Sequence, residues 1–411
     1  MSKKIPGVQG SVFGGTLLIT GSCIGAGMLG LPILTGIAGF FPTLLMFVIA
    51  WLFMTATALL LVEASAWFHT PVNYLTMIGK SLGKYGKIIS WLLYLFLFYA
   101  LIVAYLSGSG HHTTLLVENI SGYQIPKWAG GLFFVLVFGW IVFLGTKPVD
   151  FVNRGLMFGK IAVYLVLVIT GILYVKPEKL LYVDTKYAFF SLPILIISFG
   201  FHNMIPSLYS YLGGDVKRVK QSILYGSLFT FVIYIFWEIV VLGILPVKGP
   251  GGILESYKND IGGAQAVRTY LGANSVGIFA EILAFFAILT SFLAQSLSLV
   301  HFLGDGLKIQ TKKTESFSMC LLALLPPTIF SLFFPEIFFG ALNFAGGFCA
   351  VILFGVFPSL MVWIGRYRHK IPSNYQFIGG QPLLIGLLLF SFFILVYQGC
   401  GMIGLKVFPL P

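Results

Sequence analysis

Ionisable side chains are scarce in the apolar runs of this chain, and the few present are where chemistry would reside. Lys160 stands in a run at about 157–175, Glu238 in one at 222–246, and His202-Asn203 in one at 187–212. Charged and polar groups cost free energy in hydrocarbon, so each is a functional candidate by default. Lys160 reads either as a desolvated amine able to exchange a proton or as a lysine snorkelling to the membrane boundary. Glu238, near the middle of its run, reads as a proton relay or as the partner of a buried polar group; Glu63 and Glu281 lie near run ends, where hydration makes a carboxylate ordinary. His202 is either a ligand or a neutral imidazole satisfied by a carbonyl. His111 and His112 are adjacent and point in different directions on a helix, so they make no metal pair. Cys23, Cys320, Cys349 and Cys400 lack metal or disulfide spacing, and no metal or cofactor is expected.

Two apolar runs are broken at their centres. The first break falls within Ser22-Cys23-Ile24-Gly25-Ala26-Gly27 and extends to Pro32; the second spans Ser198-Phe199-Gly200-Phe201-His202-Asn203-Met204-Ile205-Pro206. Gly and Pro in a membrane-length run free backbone groups that lipid cannot satisfy, so such a break persists only where protein or a polar cavity covers it. Paired breaks in two halves of a chain mark a transporter's binding site. The first would offer amide groups to a carboxylate and carbonyls to an ammonium or coupling cation. The alternative for it is close helix packing through Gly21 and Gly25, spaced as Gly-x-x-x-Gly. In the second, Phe199 or Phe201 would cover a ligand while His202 or Asn203 bonds its polar groups.

The elements that must position these residues follow from composition. The chain has 411 residues, 58% hydrophobic and 9% charged, against about 25% charged in an average soluble domain. This defines a polytopic membrane protein. The net charge of +12 comes from Lys and Arg scattered in short loops, which argues topology and not a nucleic-acid partner. Apolar runs fall at about 11–38, 41–66, 88–117, 127–145 and 157–175, then 187–212, 222–246, 276–303, 317–334 and 337–363, and finally 382–405. The first five starts recur in the next five at offsets of 176 to 190 residues. A unit of five spans is odd, so its second copy enters the membrane from the opposite side: a 5+5 inverted repeat plus an eleventh helix. The expected units are 1–186, 187–364 and 365–411. With the N-terminus cytoplasmic, 17 of 25 Lys and Arg fall inside, among them Lys3, Lys4, Lys308, Lys312 and Lys313. The C-terminus is then outside. No phosphate-binding loop, no His-Glu-x-x-His and no large extramembrane domain is present to support an enzyme; the longest soluble segment, about 247–275, reads as a short outer lid.

Particular residues carry a resemblance. Gly10-Ser11-Val12, Ile24-Gly25-Ala26-Gly27-Met28-Leu29 with Pro32, Ser198-Phe199-Gly200-Phe201-His202, Ile205-Pro206-Ser207, Tyr234-Ile235-Phe236-Trp237 and Thr290-Ser291-Phe292-Leu293 resemble the bacterial tyrosine-specific permeases. These belong to the hydroxy/aromatic amino acid permease family of the amino acid–polyamine–organocation superfamily. Asn203-Met204 departs from the smaller residues expected there. The resemblance implies an all-helical, leucine-transporter-like fold and proton-driven import of tyrosine or tryptophan across an inner membrane. It also implies that Lys160, with Thr290 and Ser291, occupies the place a cation takes in sodium-coupled relatives, the proton serving as coupling ion. Span three lines the pocket in such relatives, which makes Tyr99 and Tyr105 candidates to gate the substrate, Tyr99 foremost; on helical spacing they face different sides, so at most one of the two touches it. Gln295, one turn after Ser291, shares its face and would reach the aromatic end of a ligand. Sodium-coupled or exchange-type permeases are the same-class alternatives; a channel or membrane-embedded enzyme is the other class.

Overall fold

The computed structural model describes residues 10–68, 72–272, 274–307, 317–373 and 375–404, and among these every regular element is a helix. Lys3, Lys4, Lys308, Lys312 and Lys313, used in the charge-bias argument, lie outside the described residues. The first half comprises α1 (Val12–Cys23), α2 (Gly27–Gly36), α3 (Phe40–Ala66), α4 (Tyr74–Ser121), α5 (Lys127–Phe143), α6 (Thr146–Gly171) and the single turn α7 (Pro177–Leu180). The second begins with α8 (Leu192–Ser198), α9 (Ile205–Tyr211) and α10 (Val216–Ile244). Two short helices, α11 (Ile253–Lys258) and α12 (Gly263–Leu271), occupy the segment read as a lid. There follow α13 (Ser275–Leu307), α14 (Phe317–Phe333), α15 (Phe338–Phe344), α16 (Phe357–Trp363) and α17 (Gly380–Met402).

Among the described residues, eight helical segments are long and apolar enough to cross a membrane, and the bent pair α1/α2 makes a ninth. Helices α5 and α14, at the fourth and ninth expected runs, have 17 residues each. At 1.5 Å per residue such a helix reaches roughly 25 Å, short of a core of about 30 Å. Length alone therefore does not reproduce the expected count of eleven.

The first broken span bends by 61° between α1 and α2. The break is shorter than the sequence motif: the helix resumes at Gly27, and Pro32 lies inside α2. Proline there removes the amide that would bond the Met28 carbonyl, and the Trp237 indole of α10 supplies the missing donor at 3.0 Å. Helix α2 is buried from Met28 to Gly36 and packs on α8, α10, α11 and α12. In the second broken span, α8 ends at Ser198 and the helix resumes at Ile205 after a tight turn at His202–Met204.

Between α15 and α16 the backbone is wound more loosely over Ala345–Val356, in the i→i−5 pattern that rarely extends beyond a single turn; the Phe357 amide, for example, donates to the Ile352 carbonyl. At the start of this stretch the Gly346 backbone lies so close to the Pro193 carbonyl that any side chain would collide with it. Glu63 and Arg366 meet in a bidentate pair at 2.7 and 2.5 Å, joining α3 to the end of the span that contains α16. The Phe377 amide and carbonyl complete the pair, donating to Glu63 at 2.7 Å and accepting from Arg366 at 2.7 Å.

Candidate functional site

Three carbonyls freed by the two breaks are met by side chains from other helices. The Tyr234 hydroxyl of α10 lies 2.7 Å from the Cys23 carbonyl and 2.9 Å from the Ser198 carbonyl, so its single proton is shared between the two breaks. The Lys160 ammonium of α6 donates to the Ile24 carbonyl at 2.6 Å and to the Thr290 hydroxyl of α13 at 3.2 Å. The Ala26 amide donates to Ser291 Oγ at 3.0 Å. Hydrocarbon offers no other partner for these groups, so the breaks exist because α6, α10 and α13 satisfy them. Gly25 is required by proximity: a Cβ there would stand 2.6 Å from Ser291 Oγ.

Beside the breaks lies a cavity of about 620 Å³, open solvent at its mouth included. It is lined by Ser22, Cys23, Gly25, Ala26 and Gly27 from the first break and by Ser198, Gly200 and Asn203 from the second. Ser291 and Gln295 of α13 face it one helical turn apart. Ser22 and Asn203 of its lining are exposed, whereas α2 on the other side of the break is buried from Met28 to Gly36. Ser198 belongs to the lining, and its buried hydroxyl has no hydrogen-bonding partner among the described residues.

The remaining sequence-predicted residues stand elsewhere. Ile24 contributes its carbonyl to Lys160 and is not in the lining. Phe199 is fully buried behind it, edge-on to Phe47 and Tyr234. Phe201 is also buried and stacks on His202, whose ring stacks in turn on Phe354 at 4.9 Å and 10°. His202 Nε2 bonds the Thr57 hydroxyl of α3 at 2.9 Å, a hydroxyl where a carbonyl was expected, and its buried Nδ1 has no hydrogen-bonding partner among the described residues. Tyr99 turns from the cavity and donates to the Leu322 carbonyl of α14 at 2.9 Å. Span three is represented in the lining by Tyr94, Leu97, Phe98, Leu101 and Tyr105 instead. Those positions recur at three and four residues and so form one stripe, one step from which Tyr99 points aside. Glu238 lies away from the cavity against α2, within 3.0 Å of the Thr35 hydroxyl.

A second cavity, about 510 Å³, lies beyond Leu29 and is lined by His111, His112, Asp260 and Glu336 among others. Asp260 accepts the Phe338 and Phe339 amides at 2.6 and 2.9 Å, capping α15. Burial raises its carboxyl above the usual range, against the pull of those amides.

Broken helices clasped around a central cavity, in an all-helical membrane chain, are those of a transporter with the leucine-transporter-like fold. The solved structure of MhsT in complex with L-phenylalanine superposes on it with a TM-score of 0.63 at 14% identity, covering 95% of this chain and 98% of that one. The sequence model of the tryptophan/tyrosine permease family matches residues 8–398. Tyrosine-specific transport system 1 of Haemophilus influenzae is 34% identical over 379 residues, with 90% of this chain and 92% of that protein covered. The tryptophan-specific transport protein of the same organism is 30% identical over 402 residues, with coverage of 94% and 95%. The chain belongs to the tryptophan/tyrosine permease family.

Proposed function

We propose that this protein imports tyrosine or tryptophan, or both, across a bacterial inner membrane together with a proton. Support for the substrate class comes from the named relatives and from a cavity with Tyr94, Phe98, Tyr105 and Phe354 in its wall. The start of α2 faces this space through Gly27, where a helix N-terminus favours a carboxylate. Ser291, Gln295 and Asn203 supply hydrogen bonds along the remainder of the ligand.

The single observation that carries the coupling reading is the Lys160 bridge. Its ammonium is almost completely buried and ties α6 to the Ile24 carbonyl in the first break and to Thr290 on α13. A fixed cation there supplies the charge that a sodium ion would otherwise bring. Loss of its proton removes that charge and loosens the tether between α1 and the pair α6/α13. The moving unit in this reading is α1–α3 with α8–α10, rocking against the other spans. The units 1–186 and 187–364 are its inverted repeats, residues 365–411 add the last helix, and the N-terminus lies in the cytoplasm with the C-terminus outside.

The test is substrate-driven proton flux into vesicles containing purified protein, with sodium present or replaced. Wild type should acidify the lumen as tyrosine or tryptophan enters, with no sodium requirement. Lys160→Gln should abolish that flux while retaining exchange of labelled substrate. Undiminished flux in the variant, or uptake that needs sodium, sinks the coupling reading.

A further inference from the structure

Glu238 lies apart from the cavity and has no place in the transport scheme above. Its side chain is fully buried in α10 and faces α2, the half-helix beyond the first break. One carboxyl oxygen, Oε2, is 3.0 Å from Thr35 Oγ1; the other, Oε1, has no hydrogen-bonding partner among the described residues. Thr35 Oγ1 also lies 2.8 Å from the Leu31 carbonyl, which can only accept.

The proton count then discriminates between the two states of the acid. A threonine hydroxyl has one proton to donate. Donated to Leu31, it leaves the contact with Glu238 without a hydrogen unless the carboxyl itself brings one. A neutral Glu238 closes the chain: its O–H donates to Thr35, and Thr35 donates to Leu31. An ionised Glu238 would be a fully buried anion with at most one hydrogen bond, which costs several kcal/mol when no cation is beside it.

Among the described residues, no cation is available on the packed elements. Helix α2 carries no charged residue. On the other helices against α10, Lys179 donates to the Ile244 carbonyl, Arg268 pairs with Glu281, Lys160 is held at Ile24 and Thr290, and Arg154 pairs with Asp150. Glu63 of α3 is paired with Arg366, and Lys147, Lys176 and Glu178 are exposed. The basic residues of α10 itself, Lys217, Arg218 and Lys220, sit in its first turns, about five turns from Glu238.

We infer that Glu238 is carried as a neutral carboxylic acid that latches α2 onto α10, a positioning residue whose proton is a condition for α2 to pack in its buried place. The Trp237 indole bonded to Met28 is the neighbouring contact of the same latch. The ionised form would favour separation of α2 from α10, where water can reach it.

Infrared difference spectroscopy of the full-length protein in lipid vesicles tests this directly. Glu238→Gln should delete one protonated-carboxyl carbonyl band from the wild-type spectrum, and Thr35→Val should shift that band toward an unbonded acid without deleting it. Uptake supplies the second readout. The glutamine amide still donates to Thr35, so Glu238→Gln should retain uptake within about fivefold, the effect of one modest hydrogen-bond change. Glu238→Ala has no donor and leaves a void, and should lose roughly tenfold or more. Absence of the band, or uptake in Glu238→Gln as poor as in Glu238→Ala, overturns the assignment. Neither readout depends on which ion drives transport, so the latch and the Lys160 coupling stand or fall separately.

Discussion

Replacing Gly25 by alanine probes whether the first break is a built site. Gly25 does not occupy a left-handed conformation, so an alanine meets no backbone strain there. What it meets is Ser291: the new Cβ would lie 2.6 Å from Ser291 Oγ but 3.8 Å from Ser291 Cβ. The hydroxyl must therefore leave, and with it the 3.0 Å bond from the Ala26 amide. An unsatisfied buried donor costs about 1–3 kcal/mol, which corresponds to roughly 5- to 150-fold in affinity if it falls on the bound state. The structure also specifies the cure. Ser291→Ala removes the oxygen and keeps a Cβ at ordinary contact distance, so the double variant should bind substrate no worse than Ser291→Ala alone. The measurement is equilibrium binding of labelled tyrosine or tryptophan to the purified protein for wild type, both single variants and the double variant. Simple additivity would require the double variant to be weaker than wild type by the product of the two single-variant effects. Additive losses, or a Gly25→Ala protein that binds like wild type, would refute the crowding argument.

Two further expectations rest on single contacts. Tyr234→Phe removes the hydroxyl that bridges the Cys23 and Ser198 carbonyls, and should lower substrate affinity by about 1–3 kcal/mol with the protein still inserted and folded; binding titration against thermal stability separates the two effects. Arg366→Met leaves Glu63 as a buried, unpaired carboxylate, a loss of about 3–5 kcal/mol that should appear as a lower melting temperature in detergent. Adding Glu63→Gln should recover a large part of it; no recovery would mean that the pair does not bear the load assigned to it.

Much of the arrangement was legible because membranes restrict backbone choices. Long apolar runs and central Gly and Pro located the helices and both breaks, with Cys23 and Ser198 as the last helical residues before each. Lys160 with Thr290 was drawn from family resemblance, and the two side chains are in contact. Helical phase is ambiguous at α4: Tyr99 turns aside while the stripe at 94, 98, 101 and 105 lines the cavity, and several aromatic stripes compete there in the sequence. His202 stands out because polarity in a span marks function, and Phe201 because an aromatic ring could cover a ligand, yet Thr57 and Phe354, both remote in sequence, hold His202 in packing, and Phe201 stacks on it. The role of Tyr234 was hidden for the same reason. Its string was recognisable as a family mark, but nothing in the sequence places its hydroxyl between two carbonyls 211 and 36 residues away.

The bond from Trp237 to Met28 gives the protein a built-in optical reporter. The indole is completely buried and its N–H is spent on the half-helix α2, so any movement of α2 away from α10 exchanges that carbonyl for water around a fluorophore. With the other six tryptophans of the seven replaced by phenylalanine, emission from this one residue would follow the position of the half-helix in real time, without an attached dye.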